Sequence, residues 1–351
     1  MNFPIAFYLL AVLGAFATAV VALPLWRKWC LRAGLVDDPG DRKIHEQPVP
    51  LAGGLAVMTA LVVPALLAVV ALGLQPVNFD SGTNPAASPA HAPFSIHLAL
   101  LNSHTAGLLV YGLNKRGVEL AAIFIGALGM LVLGLLDDKH ELRPAAKFTG
   151  QLLVALLVAA AGVRITLFVP SLVFSYAITL LWILGVINAF NFMDNMNGLC
   201  GGLGAIGALY FAAISAFTGQ YLVALIAFLT SGALLGFLPY NFPRAKAFLG
   251  DAGSHLVGYL LAILAILPHF YTHKRPHVLA VLSPLLILAV PLGDLVWVVI
   301  LRWRMGKPFY IGDTNHLSHR LVRLGWSRAR AVVLIWLLAA LLGAPAFLLQ
   351  F

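Results

Sequence analysis

Ten long apolar stretches divide this sequence, and they constrain its fold more than any other feature. Each is close to the roughly 20 residues that an α-helix needs to cross the hydrocarbon core of a bilayer. Charged residues make up only 10% of the chain, whereas a soluble domain averages about 25%. We therefore predict an all-α fold, a polytopic membrane helical bundle of about ten transmembrane helices in a single domain over residues 1–351. The predicted spans are 3–25, 52–74, 118–136, 145–162, 167–187, 201–217, 221–238, 254–270, 278–301 and 330–350.

The distribution of Lys and Arg indicates the orientation of these spans. Of the 22 Lys and Arg residues, 17 lie on one face or at its flanking span ends, and five lie on the other. Cytoplasmic loops carry this excess in membrane proteins, so the basic face is predicted to be cytoplasmic and both termini to lie outside. The predicted cytoplasmic loops are 26–51, 137–144, 188–200, 239–253 and 302–329.

The remaining features of the chain carry less information. The residues of about 75–117 are predicted to form an irregular outer loop, with a short surface helix over 94–110. The first apolar run is expected to be retained, because the residues before it lack the basic segment of a cleaved signal peptide. Cys30 and Cys200 fall at predicted cytoplasmic span ends, where thiols stay reduced.

Acidic and amide residues cluster where three apolar stretches end on the predicted cytoplasmic face. The whole chain holds only 13 Asp and Glu, so their concentration at one membrane surface is informative. Carboxylates grouped at that surface suit a divalent metal and a phosphorylated substrate. The candidate residues are Asp137 and Asp138, then Asn188, Asn191 and Asp194, then Asp251.

Each cluster also has a structural alternative. A span must end in something polar, but adjacent Asp137 and Asp138 at a helix C-terminus oppose the helix dipole, which favours a functional role. Successive helical residues do not face one another, so one of the two is expected to point at the site and the other to support it or act as a base. Asp251, between glycines at a helix start, is either an N-cap or a metal ligand.

Basic residues in two predicted cytoplasmic loops are candidates for binding phosphate. Lys43 and His45 lie between Asp37 and Pro50, where the alternative is an ordinary anchoring loop. His316, His319 and Arg320 lie in the last loop, where imidazole and guanidinium groups suit a diphosphate better than zinc.

Two further features stay open or are disfavoured. Asp294 lies inside the ninth predicted span, where a charge is either functional or part of a buried structural pair. His269, His273 and His277 repeat every four residues, but prolines interrupt the segment and it lies on the outer side, so a metal site there is disfavoured.

Four motifs occur in order along nearly the whole chain, and together they resemble the polyprenyl-phosphate N-acetylhexosamine-1-phosphate transferase family. They are Asp137-Asp138, Asn188-x-x-Asn191-x-x-Asp194, Phe248-Leu249-Gly250-Asp251-x-Gly253-Ser254 and His316-Leu317-Ser318-His319-Arg320. The segment Arg42-Lys43-Ile44-His45, followed by Pro50 and Gly53-Gly54, resembles the family's N-terminal motif in its GlcNAc-1-phosphate branch.

The resemblance implies a bacterial plasma membrane enzyme with its active site on the cytoplasmic face. Such an enzyme moves a sugar-1-phosphate, GlcNAc-1-phosphate by default, from a UDP-sugar to undecaprenyl phosphate and releases UMP. It uses Mg²⁺, with Mn²⁺ as an alternative, and serves cell-envelope polysaccharide synthesis. The partners implied are the UDP-sugar, the polyprenyl phosphate and the membrane, with no nucleic acid, and a homodimer stays open.

Carried over by position, the resemblance assigns roles to individual residues. Asp137, Asp138 and Asp194 are implied to be catalytic, and Asp251 is implied to bind metal together with Asp137. The residues implied to bind substrate are Lys43, His45, Asn188, Asn191, His316, His319 and Arg320.

Three positions depart from the family pattern, and rival functions follow from them. Asn195 stands where Gly is common, Asn197 where Asp is common, and Ser318 where a further His is common. A catalytically altered scaffold is therefore one alternative, and a proton-coupled transporter using Asp294 is another. A CDP-alcohol type of phosphotransferase is disfavoured because its closely spaced Asp-Gly pattern is absent from the sequence.

Overall fold

The computed structural model of the chain describes residues 5–38, 47–73, 103–270, 278–308, 310 and 313–350. These residues are almost entirely helical, as predicted. Two-residue strands β1 (Val36–Asp37) and β2 (Val49–Pro50) pair antiparallel on either side of the segment 39–46. The helices are α1 (Ile5–Ala33), α2 (Gly53–Gly73), α3 (Ser103–Lys115), α4 (Gly117–His140), α5 (Pro144–Ala160), α6 (Leu172–Met193), α7 (Leu199–Phe217), α8 (Tyr221–Asn241), α9 (Gly250–Ile266), α10 (Ser283–Ile287), α11 (Ala289–Arg304), α12 (Leu317–Arg323) and α13 (Arg328–Leu348).

Seven of the described helices are long and apolar enough to cross a membrane, namely α1, α2, α4, α6, α7, α8 and α13. An eighth candidate is bent by 70° at a break: residues 278–287, a 3-10 turn followed by α10, form one arm, and α11 forms the other. Helices α5 and α9 are apolar but only 17 residues long. The prediction of a polytopic helical membrane protein is thus confirmed, while the count of ten and the side of the termini stay predictions.

Helix α9 lies at the centre of the described bundle. It packs against α4, α6, α2 and α7, and every residue from Ala252 to Ala265 is buried. Small residues permit its closest approaches. A Cβ added at Gly134 of α4 would lie 2.3 Å from the Ala252 backbone, and one at Gly54 of α2 would lie 2.6 Å from the amide nitrogen of Gly253. The N-terminus of α9 is therefore held tightly between α2 and the end of α4.

One helix lies in the described part of the predicted outer loop. Helix α3 occupies Ser103–Lys115, and α4 begins at Gly117. The predicted surface helix over 94–110 overlaps α3 only from Ser103 onward, and α3 continues past the predicted end to Lys115. Residues 94–102 of the prediction lie outside the described residues.

Candidate active site

The acidic pair at the end of α4 meets the start of α9 through Asp138. One carboxylate oxygen of Asp138 accepts the amide N–H of Asp251 at 2.7 Å, and the other accepts that of Ala252 at 3.1 Å. A carboxylate is favourable at a helix N-terminus because the first amides lack partners within the helix. Gly250, at φ 71°, lets the chain pass close to Asp138, since a Cβ there would lie 2.7 Å from the carboxylate. Asp138 therefore fixes the position of Asp251.

Asp137 and Asp251 share the ammonium group of Lys147. The Nζ atom of Lys147 lies 2.6 Å from Oδ2 of Asp137 and 3.3 Å from Oδ2 of Asp251. Asp137 is buried and also accepts the amide N–H of Leu142 at 2.9 Å. The positive charge of Lys147 thus reduces the repulsion between these two carboxylates.

The two asparagines of α6 lie in different places. The side-chain amide of Asn191 donates to Oδ1 of Asp251 and, at 3.0 Å, to Oγ of Ser254, so it belongs to the acidic cluster. Asn188 instead donates to Oε1 of Gln151 at 2.8 Å and to the carbonyl of Leu184 at 2.8 Å. The structure therefore brings Asn191 to the predicted site and directs Asn188 into the helix packing beneath it.

Asn188 begins a buried hydrogen-bond chain that ends at His255. Because the Leu184 carbonyl can only accept, the amide of Asn188 donates, and Gln151 then presents its own amide to Nε2 of His255 at 3.3 Å. His255 consequently carries its proton on Nδ1. That buried Nδ1 has no hydrogen-bond partner among the described residues.

The donor atoms around Lys147 fit a hard divalent cation. The ligand atoms of Asp137, Asp251 and His255 all lie within 4.8 Å of one another. Carboxylate oxygens are the ligands that Mg²⁺ prefers, so Asp137 and Asp251 fit such an ion. The hydrogen-bond chain sets His255 apart, because a protonated Nδ1 and an Nε2 that accepts from Gln151 leave no free lone pair for a metal.

A cleft of about 810 Å³ opens beside these acids. Its lining includes Asp138, Asn191, Asp194 and Asp251. Burial, together with the charges of Asp251 and Asp138, raises the pKa of Asp194 to about 8. These neighbouring carboxylates therefore favour the protonated form of Asp194 near neutral pH.

The other lining residues supply positive and aromatic groups. Arg244 comes from the loop before α9, Arg328 from the start of α13, and His319 from α12. The aromatic side chains of Phe242 and Phe248 also line the cleft. A space of this size with acids at one end and cations nearby can hold an anionic ligand together with a metal ion.

Only one of the three predicted residues in the last loop lines the cleft. That residue is His319. His316 is buried and lies with its Nδ1 2.6 Å from Oδ2 of Asp294. The guanidinium of Arg320 is exposed and lies 5.0 Å from the ring centre of Trp297. Of the two interpretations of Asp294, the structure shows the buried pair.

The predicted N-terminal contacts cannot be placed. Lys43 and His45 lie outside the described residues. Asp37 and Val49, in the strands that flank this segment, do line the cleft. The two strands that flank this segment in the sequence therefore each contribute a residue to the cleft.

The three residues that depart from the family pattern form hydrogen bonds within the protein. Ser318 donates its hydroxyl hydrogen to Oδ1 of Asn195 at 2.6 Å, so two of the departures bond to each other. Asn197 donates to the carbonyl of Pro243 at 3.2 Å. Asn195 and Asn197 both line the cleft, together with Asp138, Asp194 and Asp251.

Five residues of the site were not predicted, namely Lys147, Gln151, Arg244, His255 and Arg328. Lys147 is a cation in the first turn of an apolar helix, and such a placement is itself a signal of function. His255 follows the Gly250–Ser254 motif directly and is a polar residue inside an apolar helix. Gln151 and Arg244 carry no comparable signal.

Comparison with known proteins gives consistent results. Residues 120–269 match the family described as glycosyl transferase family 4. A probable undecaprenyl-phosphate N-acetylglucosaminyl 1-phosphate transferase of Bacillus subtilis is 29% identical over 97% of this chain and 84% of its own length. A decaprenyl-phosphate N-acetylglucosaminephosphotransferase of Mycolicibacterium smegmatis is 31% identical over 93% of this chain and 77% of its own length. An undecaprenyl-phosphate alpha-N-acetylglucosaminyl 1-phosphate transferase of Escherichia coli K12 is 26% identical, with 93% and 79% covered.

Proposed function

Because this chain belongs to the polyprenyl-phosphate N-acetylhexosamine-1-phosphate transferases of glycosyl transferase family 4, we propose that it transfers a sugar-1-phosphate to a polyprenyl phosphate. The donor is a UDP-sugar, with UDP-GlcNAc first among them because the relatives are named for N-acetylglucosamine. The acceptor phosphate forms a bond to the β-phosphorus of the donor. The bond from that phosphorus to the bridging oxygen breaks, and UMP leaves with the electron pair.

The convergence of Asp138, Asp194 and Asp251 on one cleft carries this proposal. These acids come from the ends of α4 and α6 and the start of α9, which are far apart in sequence. Phosphoryl transfer depends on alignment and charge stabilisation more than on covalent catalysis. A cleft with acids at one end and Arg244, Arg328 and His319 nearby supplies both requirements.

Each acid has a distinct part in this proposal. Asp137 and Asp251 would hold a divalent cation, Mg²⁺ or Mn²⁺, which neutralises phosphate charge when bound. Asp138 orients the start of α9 through two amides and thereby places Asp251. Asp194, with its raised pKa, is suited to hold or release a proton near neutral pH.

The remaining predicted residues take supporting parts. Asn191 holds the carboxylate of Asp251 and is close enough to the cleft to bind a hydroxyl of the substrate. His319 contacts the diphosphate or nucleotide, and Lys43 and His45, which lie outside the described residues, are proposed to bind phosphate. We place the site at the cytoplasmic surface of the bacterial plasma membrane, where the excess of Lys and Arg lies.

Release of UMP by purified protein tests the reaction class. The assay contains Mg²⁺, undecaprenyl phosphate and a panel of UDP-sugars. We expect release with one donor, and we expect Asp251→Asn to lower it by at least about 10²-fold because a charge-stabilising group is lost. Asp38→Asn is the control, since Asp38 is an exposed acid that directly follows β1. Folded protein that releases no UMP with any donor would refute the proposal.

The same assay separates the transporter alternative. A proton-coupled transporter would require polar residues spread along the inner faces of several spans. Four of the described acids instead line one cleft, namely Asp37, Asp138, Asp194 and Asp251. Uptake of the UDP-sugar donor into proteoliposomes, without release of UMP, would favour the transporter alternative.

A further inference from the structure

Asp294 and His316 form a buried hydrogen-bonded pair that the proposed chemistry does not use. Asp294 lies in α11 with 6% of its surface exposed, and His316 precedes α12 with 5% exposed. One carboxylate oxygen of Asp294 lies 2.6 Å from Nδ1 of His316, and the other accepts the amide N–H of Leu317 at 2.7 Å. A single carboxylate therefore holds both the residue before α12 and the first amide of that helix.

The imidazole of His316 is also held from a second side. Its ring meets the ring of Phe192 edge-on at 5.5 Å between centres. Phe192 lies near the end of α6, and the guanidinium of Arg302 lies 4.9 Å from the centre of its ring. The start of α12 is thus anchored to α11 and α6 together.

His319 is the residue that this anchor places. It follows His316 by three positions, almost one helical turn, and the two ring centres are 6.4 Å apart. His319 lines the cleft, whereas His316 lies behind it. The direction of α12 at its first residues therefore decides whether the imidazole of His319 points into the cleft.

We propose that Asp294 and His316 are positioning residues that direct His319 toward the anionic substrate. This inference rests on the proposed transferase function and departs from the prediction that His316 itself binds substrate. Neighbouring side chains that hold a functional side chain in place are a common requirement of active sites.

A double-mutant cycle tests whether Asp294 acts through His319. Asp294→Asn is expected to lower kcat/KM on the order of 10²-fold, the effect of misplacing a group by about 1 Å. In a His319→Gln background, Asp294→Asn should lower kcat/KM by less than about threefold, because no imidazole remains to be positioned. Equal losses in both backgrounds would overturn the proposal. Glu119→Gln removes an acid that pairs with Arg116 at 3.9 Å, and it should leave kcat/KM unchanged.

Two replacements of His316 separate positioning from substrate contact. Asn places an amide nitrogen close to the position of Nδ1, so His316→Asn can still donate to Asp294, whereas His316→Leu cannot. We expect the kcat/KM of His316→Asn to stay within about tenfold of the wild-type value. We expect His316→Leu to lose as much kcat/KM as Asp294→Asn does. Equal losses in the two variants would show that the imidazole of His316 itself contacts substrate.

A spectroscopic measurement decides the proposal independently of catalysis. In protein labelled with ¹⁵N-histidine, the ring signal of His319 is identified by its absence from His319→Gln. We expect the chemical shift of this signal to change in Asp294→Asn and to stay unchanged in Glu119→Gln. An unmoved signal would refute positioning even if UMP is released. A moved signal without UMP release from the wild type would refute only the transferase function.

Discussion

Lys147 controls the charge balance among the acids that line the site. Its ammonium group lies within 3.3 Å of carboxylate oxygens from both Asp137 and Asp251. A divalent cation bound to the same carboxylates would compete with that ammonium. Lys147 therefore limits metal affinity and offsets part of the negative charge of Asp137 and Asp251 when no metal is bound.

Replacing Lys147 with Gln should tighten metal binding and slow turnover. We expect the Kd for Mn²⁺, measured by electron paramagnetic resonance, to fall at least about fivefold, since even 1 kcal/mol corresponds to that factor. We expect kcat to fall on the order of 10²-fold because the carboxylates lose their alignment. Lys139→Gln, an exposed lysine at the end of α4, is the control. Weaker Mn²⁺ binding in Lys147→Gln would contradict the competition argument.

Asp194 makes the stability of the protein depend on pH. Its pKa is raised to about 8 from an ordinary value of 3.8. The folded state therefore binds more protons than the unfolded state between these values, so this residue's contribution to stability is lost as the pH rises from about 4 to about 8.

Asp194→Asn should remove that part of the pH dependence. In metal-free buffer, we expect the Tm of the wild type to fall more steeply than that of the variant between pH 5 and about pH 8. Intrinsic fluorescence during heating measures both transitions. Parallel curves for the two proteins would show that Asp194 is not the group responsible.

At the scale of elements, the crossing of α4 and α9 positions the acids of both helices. Gly134 lies against the backbone of Asp251 and Ala252, and an added Cβ would come within 2.3 Å of it. Backbone atoms cannot move aside as a flexible side chain can. The distance between the two helices, and hence the contact of Asp138 with the start of α9, depends on this glycine.

Gly134→Ala should therefore reduce both stability and activity. We expect a loss of about 1–3 kcal/mol, as for other overpacked contacts, together with reduced UMP release. Gly185→Ala in α6 is the matched control, because its Cβ would meet no atom within 4 Å. Thermal unfolding and the UMP assay measure the two effects, and equal behaviour of the two variants would show that the crossing tolerates a methyl group.

At the scale of the whole molecule, the number of membrane-spanning helices decides whether the two termini lie on the same side of the membrane. Seven described helices qualify as spans, the bent pair adds an eighth, and α5 and α9 are shorter. If the bent pair counts once and both shorter helices cross, the total is ten. An even number places both termini on the same side, which the excess of Lys and Arg predicts to be the outside.

Reporter fusions measure this orientation directly. Alkaline phosphatase fused after Phe351 should be active, since that enzyme matures only outside the cytoplasm. Green fluorescent protein fused after Gly325, in the last predicted cytoplasmic loop, should fluoresce. The opposite pair of results would move the cleft to the outer surface.

The sequence allowed the membrane fold and the acids of the site to be predicted, because both depend on local patterns. Long apolar runs specify helices, and polar residues at their ends are conspicuous in so apolar a chain. The contacts between distant residues could not be predicted. Gln151 and His255 are 104 positions apart, and Asp294 and His316 are 22 apart. Such pairings depend on how the helices cross, which single-helix periodicity does not specify.

The burial of α9 determines how the site responds to its surroundings. A helix that contacts lipid must match the thickness of the bilayer, and it tilts or shifts when that thickness changes. Helix α9 is covered by protein on every side from Ala252 to Ala265. Its length of 17 residues therefore need not match the thickness of the hydrocarbon core. We expect turnover to vary little between bilayers of short-chain and long-chain lipids, since the outer helices take up the mismatch while α9 stays in place.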